Sequence, residues 1–292
     1  MTVPYRLMGI LNVTPDSFSD GGRFLEAGAA IGRGRALVAE GADIVDVGGE
    51  STRPGAQPVP AAEELRRVLP VIAGLAEAMS SMPGHPQISV DTYKAEVAGA
   101  ALAAGASLVN DVSAFRADPE MAALVAQSGA ECCLMHMLGE PRTMQRDPRY
   151  EDVVDDVKAF LQERLEFAVG EGVAPERILL DPGIGFGKTE AHNLELLRRL
   201  GELLTLGAPI VIGTSRKGFL GHVLARATGR PEPVDVADRL PGTIASNVLA
   251  YERGASVFRV HDVAPVRDAL AVATATLGER WTARSTGTTP AG

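Results

Sequence analysis

Cysteine is nearly missing from this chain: there are two, Cys132 and Cys133, side by side. Adjacent cysteines rarely bond to each other, and neither has a partner at a zinc-ligand spacing. A disulfide framework and a zinc finger are therefore excluded, and the composition suits a reducing cytoplasm. Long apolar runs are lacking too, since none approaches the ~18 residues that a membrane helix needs. Residues 1–11 contain no basic region followed by an apolar stretch and a cleavage site, so no signal peptide is expected. Positive charge is in short supply: 28 Lys and Arg stand against 37 Asp and Glu, a formal net charge of −9. That balance argues against a broad electrostatic grip on nucleic acid or anionic lipid. The five histidines are scattered, with no His-x-x-x-His or His-Glu-x-x-His pair, which argues against a zinc hydrolase.

What remains is an ordinary globular composition, 46% hydrophobic and 22% charged over 292 residues with 32 glycines. Short β-branched runs alternate about eight times with longer Ala/Leu-rich stretches. Strands are predicted over 6–11, 43–47, 87–90, 107–109, 131–135, 177–180, 209–212 and 256–260. Most are apolar on both faces, as parallel strands buried on both sides should be. Helices are predicted over 27–39, 61–78, 94–104, 119–127, 152–169, 191–204, 241–253 and 263–277. Several stop at a glycine before the next strand (Gly41, Gly105, Gly129, Gly254), and Asp118 before Pro119 reads as an N-cap. Residues 225–238, with Pro231 and Pro233, read as an irregular excursion between the seventh strand and its covering helix.

Eight strand–helix units fit an α/β fold of the (β/α)8 TIM-barrel type, with a doubly wound open sheet as the alternative. The polar residues favour the barrel. Nearly every predicted strand ends in glycine or a polar residue: Asn12, Gly48 to Glu50, Asp91, Asn110 and Asp111, His136, Asp181, Ser215 with Lys217, and His261. In a barrel these ends share one rim, where active sites are built. A single domain over 1–281 is expected, followed by a polar, disordered tail over 282–292.

Asp91, Asn110 and Asp181 each end a short apolar strand. Alone, any one of them could cap a helix or bridge a turn. Together they suit a ligand rich in N–H donors, such as a 2-amino-4-oxo pyrimidine ring, with Lys217 donating to the ring carbonyl. Arg259 and His261, at i and i+2 on the last strand, face one side and suit a phosphate or diphosphate. A salt bridge from Arg259 to a rim aspartate is the alternative. Asn12 and the turn from Glu50 through Ser51, Thr52 and Arg53 would complete the anion site. Asn12 could also hold Mg²⁺ on a diphosphate, because that ion prefers oxygen ligands and keeps several waters. The long loops 13–23 and 48–57 bracket this rim as candidate lids. Gly183 to Thr189 imitates a P-loop, but the pattern needs glycine where Pro182 stands, so a nucleotide-triphosphate site is not expected.

Seven segments, in order, resemble the dihydropteroate synthases, pterin-binding enzymes of folate synthesis. They begin at Met8 (MGILNVTPDSFSDGG), Asp46 (DVGGESTRPGA), Ser89 (SVDT), Asn110 (NDVS), Asp181 (DPGIGFGKT), Gly213 (GTSRK) and Arg259 (RVHDV). The resemblance implies condensation of 6-hydroxymethyl-7,8-dihydropterin diphosphate with 4-aminobenzoate by SN1-like loss of diphosphate. It implies that Asp91, Asn110, Asp181, Phe186 and Lys217 hold the pterin. Asn12, Thr52, Arg53, Arg259 and His261 would meet the diphosphate, with Mg²⁺ near Asn12. Phe18, Arg53, Pro54, Lys217 and Gly218 would form the 4-aminobenzoate site, closed by the loops carrying Asp16, Ser17, Phe18 and Ser51. Sulfonamide competition, a cytoplasmic location and a homodimer built on outer helices of the later units are further implications. One departure stands out: some relatives have serine after the motif lysine, where this chain has Gly218. The amides of a helix starting near Lys217 would then anchor the 4-aminobenzoate carboxylate. The alternatives are an inactive pterin-binding paralogue, a methyltetrahydrofolate-binding methyltransferase and a Schiff-base role for Lys217.

Overall fold

A computed structural model of the chain describes residues 5–14, 23–51, 55–82, 84–139 and 143–278, the side chains of 23–26 excepted. The strands are β1 (Arg6–Asn12), β2 (Ile44–Gly48), β3 (Gln87–Asp91), β4 (Leu108–Asp111), β5 (Glu131–Met135), β6 (Ile178–Asp181), β7 (Val211–Ile212) and β8 (Val257–Val260). They lie in one parallel sheet in the order β6-β5-β4-β3-β2-β1-β8-β7. The sheet closes through a parallel bridge between Leu180 and Ile210, with the Leu180 amide donating to the Pro209 carbonyl at 3.0 Å. This is the eight-stranded barrel, and the open-sheet alternative is excluded.

The helices are α1 (Arg23–Ala39), α2 (Ala61–Met79), α3 (Ala95–Ala103), α4 (Met121–Ser128), α5 (Val153–Gly170), α6 (Glu190–Arg198), α7 (Gly218–Ala227), α8 (Leu240–Glu252) and α9 (Val263–Gly278). Their apolar faces cover the outside of the barrel. Inside it, Met8, Ile44, Leu108, Cys133, Leu179, Val211 and Val257 form a separate packed layer. Period-two alternation explains the split: Cys133 points into this layer, while its neighbour Cys132 joins the outer core. This layer separates a lower polar group, where Arg6 Nη1 donates to Gln87 and Glu131 at 2.9 Å each, from the polar side chains at the upper rim.

Three local expectations need correction. The helix expected over 191–204 breaks after Arg198 and continues as a 3₁₀ segment, Leu200–Leu206; Gly201, a poor helix former, falls at the break. Asp118 does not cap the helix that follows it. Its Oδ1 accepts from the Glu120 amide, and its Oδ2 accepts at 2.8 Å from the amide of Ala95, the first residue of α3. The excursion expected over 225–238 starts later, because residues up to Ala227 belong to α7, the helix expected to start near Lys217. The stops at Gly41, Gly105, Gly129 and Gly254 hold, all four at positive φ. The expected tail, 282–292, lies outside the described residues.

Candidate active site

Parallel pairing brings four strand ends level. Asn12 pairs with Gly48, Gly48 with Asp91, and Asp91 with Asn110. Asp46 sits two residues before Gly48 and shares its face. Because Gly48 carries no side chain, space is left above Asp46: a Cβ there would stand 3.5 Å from the Asp91 carboxylate. Into this space comes Arg259 from β8. Its Nε donates to Asp46 Oδ2 at 2.6 Å and its Nη2 donates to Asp91 Oδ2 at 2.7 Å. Asn110 Nδ2 donates to the same Asp46 oxygen at 3.1 Å. Asp181 arrives from the other side, and a Cβ on Gly213 would lie 4.0 Å from both Asp181 Oδ2 and Arg259 Cβ. Asp91, Asn110, Asp181 and Arg259, spread over more than half the chain, thus meet in one buried cluster. Arg259 stands in the salt bridge that the sequence offered as the alternative to an anion contact.

Asp46 is the residue that reading the sequence missed. It is fully buried, it holds both Asn110 and Arg259, and its Oδ1 has no protein partner. The available signal was a lone carboxylate inside the apolar strand Ile-Val-Asp-Val-Gly, since an acid is rarely buried unless paired.

The electrostatics follow from burial. Desolvation pushes the Asp91 carboxyl up to about 7, with Arg259 pulling the other way and Asp46 adding to the rise. Asp181 is also raised by burial, opposed by the Gly183 amide, Lys217, Arg259 and Lys188. Burial works against the Arg259 cation, but Asp46 and Asp91 outweigh it and hold the guanidinium above its ordinary value. A folded-state value above the ordinary one means that the ionised form costs stability. The cost is absent below about pH 4 and complete above about pH 7. Asp91→Asn should therefore raise the melting temperature of the ligand-free protein by about 2–4 °C at pH 8. The gain should shrink as the pH is lowered to 4. Thermal melts across that range check this, and a pH-independent shift would contradict it.

Lys217 ends the turn after β7, with its Nζ 4.0 Å from the centre of the Phe186 ring. The two form one wall beside Asp181. His261 follows β8. The Ser215 hydroxyl accepts from the His261 amide at 3.1 Å and lies 3.0 Å from His261 Nδ1. Arg216, at φ +57°, forks onto Asp262 through Nε at 2.9 Å and Nη2 at 2.5 Å, pinning the Lys217 turn to the His261 turn. α7 starts at Gly218 and no side chain caps its first turn; a Cβ on Gly218 would meet open space.

Glu50 faces away from this cluster. It accepts from the Tyr93 hydroxyl at 2.8 Å and the Val59 amide at 3.2 Å, and it pairs with Lys94, which also reaches Glu64. It anchors the base of its loop, and Ser51 beside it is exposed. Asn12 is half-buried at the rim. No group of three or more His, Cys, Asp or Glu among the described residues could hold a metal by itself. Asp16, Ser17, Phe18, Thr52, Arg53 and Pro54 lie outside the described residues.

Residues 8–261 match the family described as pterin binding enzyme. Dihydropteroate synthase of Mycobacterium leprae is 48% identical over 271 residues, covering 92% of each chain. This chain belongs to the dihydropteroate synthases. Among solved structures, Xanthomonas albilineans dihydropteroate synthase with 4-aminobenzoic acid superposes with a TM-score of 0.85 at 46% identity, covering 95% of this chain and 94% of that one. The same organism's synthase in complex with 7,8-dihydropteroate gives a TM-score of 0.82 at 42% identity over 96% of each chain. In this synthase the Asp46–Asn110–Arg259–Asp91 cluster lies at the rim of the barrel.

Proposed function

We propose that this chain joins 6-hydroxymethyl-7,8-dihydropterin diphosphate to 4-aminobenzoate, giving 7,8-dihydropteroate and diphosphate. The observation that carries the reading is the convergence of Asp91, Asn110 and Asp181 with Lys217 and Phe186 beside one buried space. A carboxylate accepts in parallel from an exocyclic amino group and an adjacent ring N–H, an amide supplies both donor and acceptor, and an ammonium donates to the ring carbonyl. The Xanthomonas albilineans structures with 4-aminobenzoic acid and 7,8-dihydropteroate support this substrate pair.

The charges in the cluster suit a cationic intermediate. Asp46, Asp91 and Asp181 place three carboxyl groups beside the space where the pterin would lie, balanced by Arg259, Lys217 and Lys188. When the methylene C–O bond breaks, diphosphate leaves with the electron pair. The dihydropterin cation left behind is stabilised by ring delocalisation and by these carboxylates. The neutral arylamine then attacks the methylene carbon and loses its proton to solvent. No nucleophilic side chain is needed, and Lys217 serves as a hydrogen-bond donor.

Arg259, His261 and the turn over 51–53 are assigned to the diphosphate end. Mg²⁺ fits here only as an ion carried mainly by the substrate, with the Asn12 amide oxygen as its protein contact, because the donor set lacks a carboxylate cage. When bound it would neutralise charge developing on the leaving group. The 4-aminobenzoate site is assigned to Phe18, Arg53, Pro54, Lys217 and the start of α7 at Gly218, where sulfonamides would compete. Asp16, Ser17, Phe18 and Ser51 are assigned to loop closure.

A homodimer through the outer helices is part of the proposal. Leu249 on α8 and Val272 and Leu277 on α9 are exposed apolar side chains on neighbouring helices, suited to a partner surface. Sedimentation at the mass of a single chain would remove it. A cytoplasmic location suits the two free, buried cysteines, and no helix among the described residues is long and apolar enough to cross a membrane.

The activity is tested by mixing the protein with both substrates and Mg²⁺. Diphosphate release dependent on 4-aminobenzoate, with 7,8-dihydropteroate detected by mass spectrometry, is the expected outcome. A folded protein that releases no diphosphate from active substrate would overturn the reading.

A further inference from the structure

The glycine-rich turn after β6 has the outline of a phosphate loop but is folded inward. Its amides are spent internally: Gly183 N–H donates to Asp181 Oδ1 at 2.7 Å, Phe186 N–H to the Gly183 carbonyl at 3.0 Å, and Gly185 N–H to Asn193 Oδ1 at 2.7 Å. Lys188, whose counterpart in a phosphate loop reaches toward the ligand, turns back beneath the turn and is only 3% exposed. Its Nζ lies 3.0 Å from the Gly183 carbonyl, 3.0 Å from the Phe186 carbonyl and 2.8 Å from His136 Nδ1. An ammonium has three N–H bonds, and here it has three acceptors. His136 completes the set as a neutral ring, because burial together with Lys188 and Arg116 holds its pKa far below the usual imidazole range.

We propose that Lys188 is a positioning residue for pterin binding, its enclosed ammonium holding Phe186 and the Asp181 carboxylate in the geometry that receives the ring. The proposal rests on the pterin reading above. Four carbonyls of the turn are fixed from beneath: Lys188 takes those of Gly183 and Phe186, Gln145 takes Gly185, and the Tyr150 hydroxyl takes Gly187. Lys188 is the only one of these donors that grips the residue bearing the wall ring. The turn has no slack to compensate, since a Cβ on Gly183 would fall 1.9 Å from the His136 carbonyl oxygen. A glutamine in place of Lys188 would offer two N–H donors for three acceptors and no charge beside Asp181. That charge matters because Asp181 and Lys188 support each other's ionised form against burial, which even with Asp181 beside it draws Lys188 down to about 7.

The test compares Lys188→Met, nearly the same shape but neutral, with the unaltered protein. The readouts are 6-hydroxymethylpterin affinity by fluorescence titration, the KM for 4-aminobenzoate at saturating pterin diphosphate, and cooperative melting. Pterin affinity should fall at least about 20-fold, close to the 1.5–3 kcal/mol of a hydrogen bond to a charged group, while the 4-aminobenzoate KM stays within about threefold. Should Lys188→Met not fold, Lys188→Ala is refolded and assayed with propylammonium or with 1-propanol, which refill the same space with and without charge. Rescue by the ammonium alone is the expected result. Pterin affinity within about threefold of the unaltered protein, an equal rise in the 4-aminobenzoate KM, or equal rescue by the alcohol would overturn the proposal. The unaltered protein's diphosphate release is measured alongside. If that is absent, the synthase reading fails; if it is present and Lys188→Met binds normally, only the role of Lys188 fails.

Discussion

Asp181→Ala is expected to lose at least about 100-fold in pterin affinity, beyond what any other single change among the pterin-facing residues should do. The carboxylate is buried at the end of β6, and its Oδ1 is already committed to the Gly183 amide at 2.7 Å. Paired donors on a pterin edge would add two charge-assisted hydrogen bonds, each worth about 1.5–3 kcal/mol. Truncation removes both and leaves Lys188 without its main stabilising neighbour. Asp181→Asn should lose less, because an amide oxygen can still accept from Gly183 while one of the two ring contacts turns from acceptor to donor. Fluorescence titration with a free pterin checks both variants. Retention of affinity within about threefold in Asp181→Ala would put the ring elsewhere.

Arg259→Ala should cost both turnover and stability. Arg259 separates Asp46 from Asp91, and with the guanidinium gone two buried carboxylates face each other and Asn110 without a cation. Breaking one side of a buried pair costs about 3–5 kcal/mol, so the midpoint of urea unfolding should fall by that equivalent. Turnover should fall at least about 1000-fold, since the group assigned to the leaving diphosphate is removed and the pterin carboxylates are displaced with it. Arg259→Lys should rescue little: Nε and Nη2 reach two different carboxylates, and one ammonium cannot span that fork. Adding Asp46→Asn to Arg259→Ala should restore part of the stability and none of the turnover. Urea melts and steady-state kinetics on the three variants separate these effects. An unchanged unfolding midpoint in Arg259→Ala would mean that the two carboxylates are not both ionised in the folded protein.

The two predictions rest on different kinds of information. That Asp181 stands at a strand end beside a glycine-rich turn could be read from Ile-Leu-Leu-Asp-Pro-Gly, because an apolar run closed by a polar residue and a turn signal is a local pattern. The same holds for Asp91, Asn110 and His261, and for the count of eight units from which the barrel followed. The Arg259 partners were not legible in this way. Arg259 and Asp46 are separated by 213 positions and Arg259 and Asp91 by 168, and only closure of β8 onto β1 brings them together.

Local sequence therefore determined the element order, the parallel barrel and which strand ends carry polar groups. Backbone propensity, apolar periodicity and turn residues act over a few neighbours and do not need the rest of the chain. Tertiary structure alone decided that Asp46, an ordinary-looking acid inside β2, is the buried hub for Asn110 and Arg259, and that Lys188 points beneath its own turn instead of toward a ligand. The physical reason is the same for both residues. The direction and ionisation of a buried charged side chain are set by the acceptors and counter-charges that barrel closure places around it, and those come from strands far away along the chain.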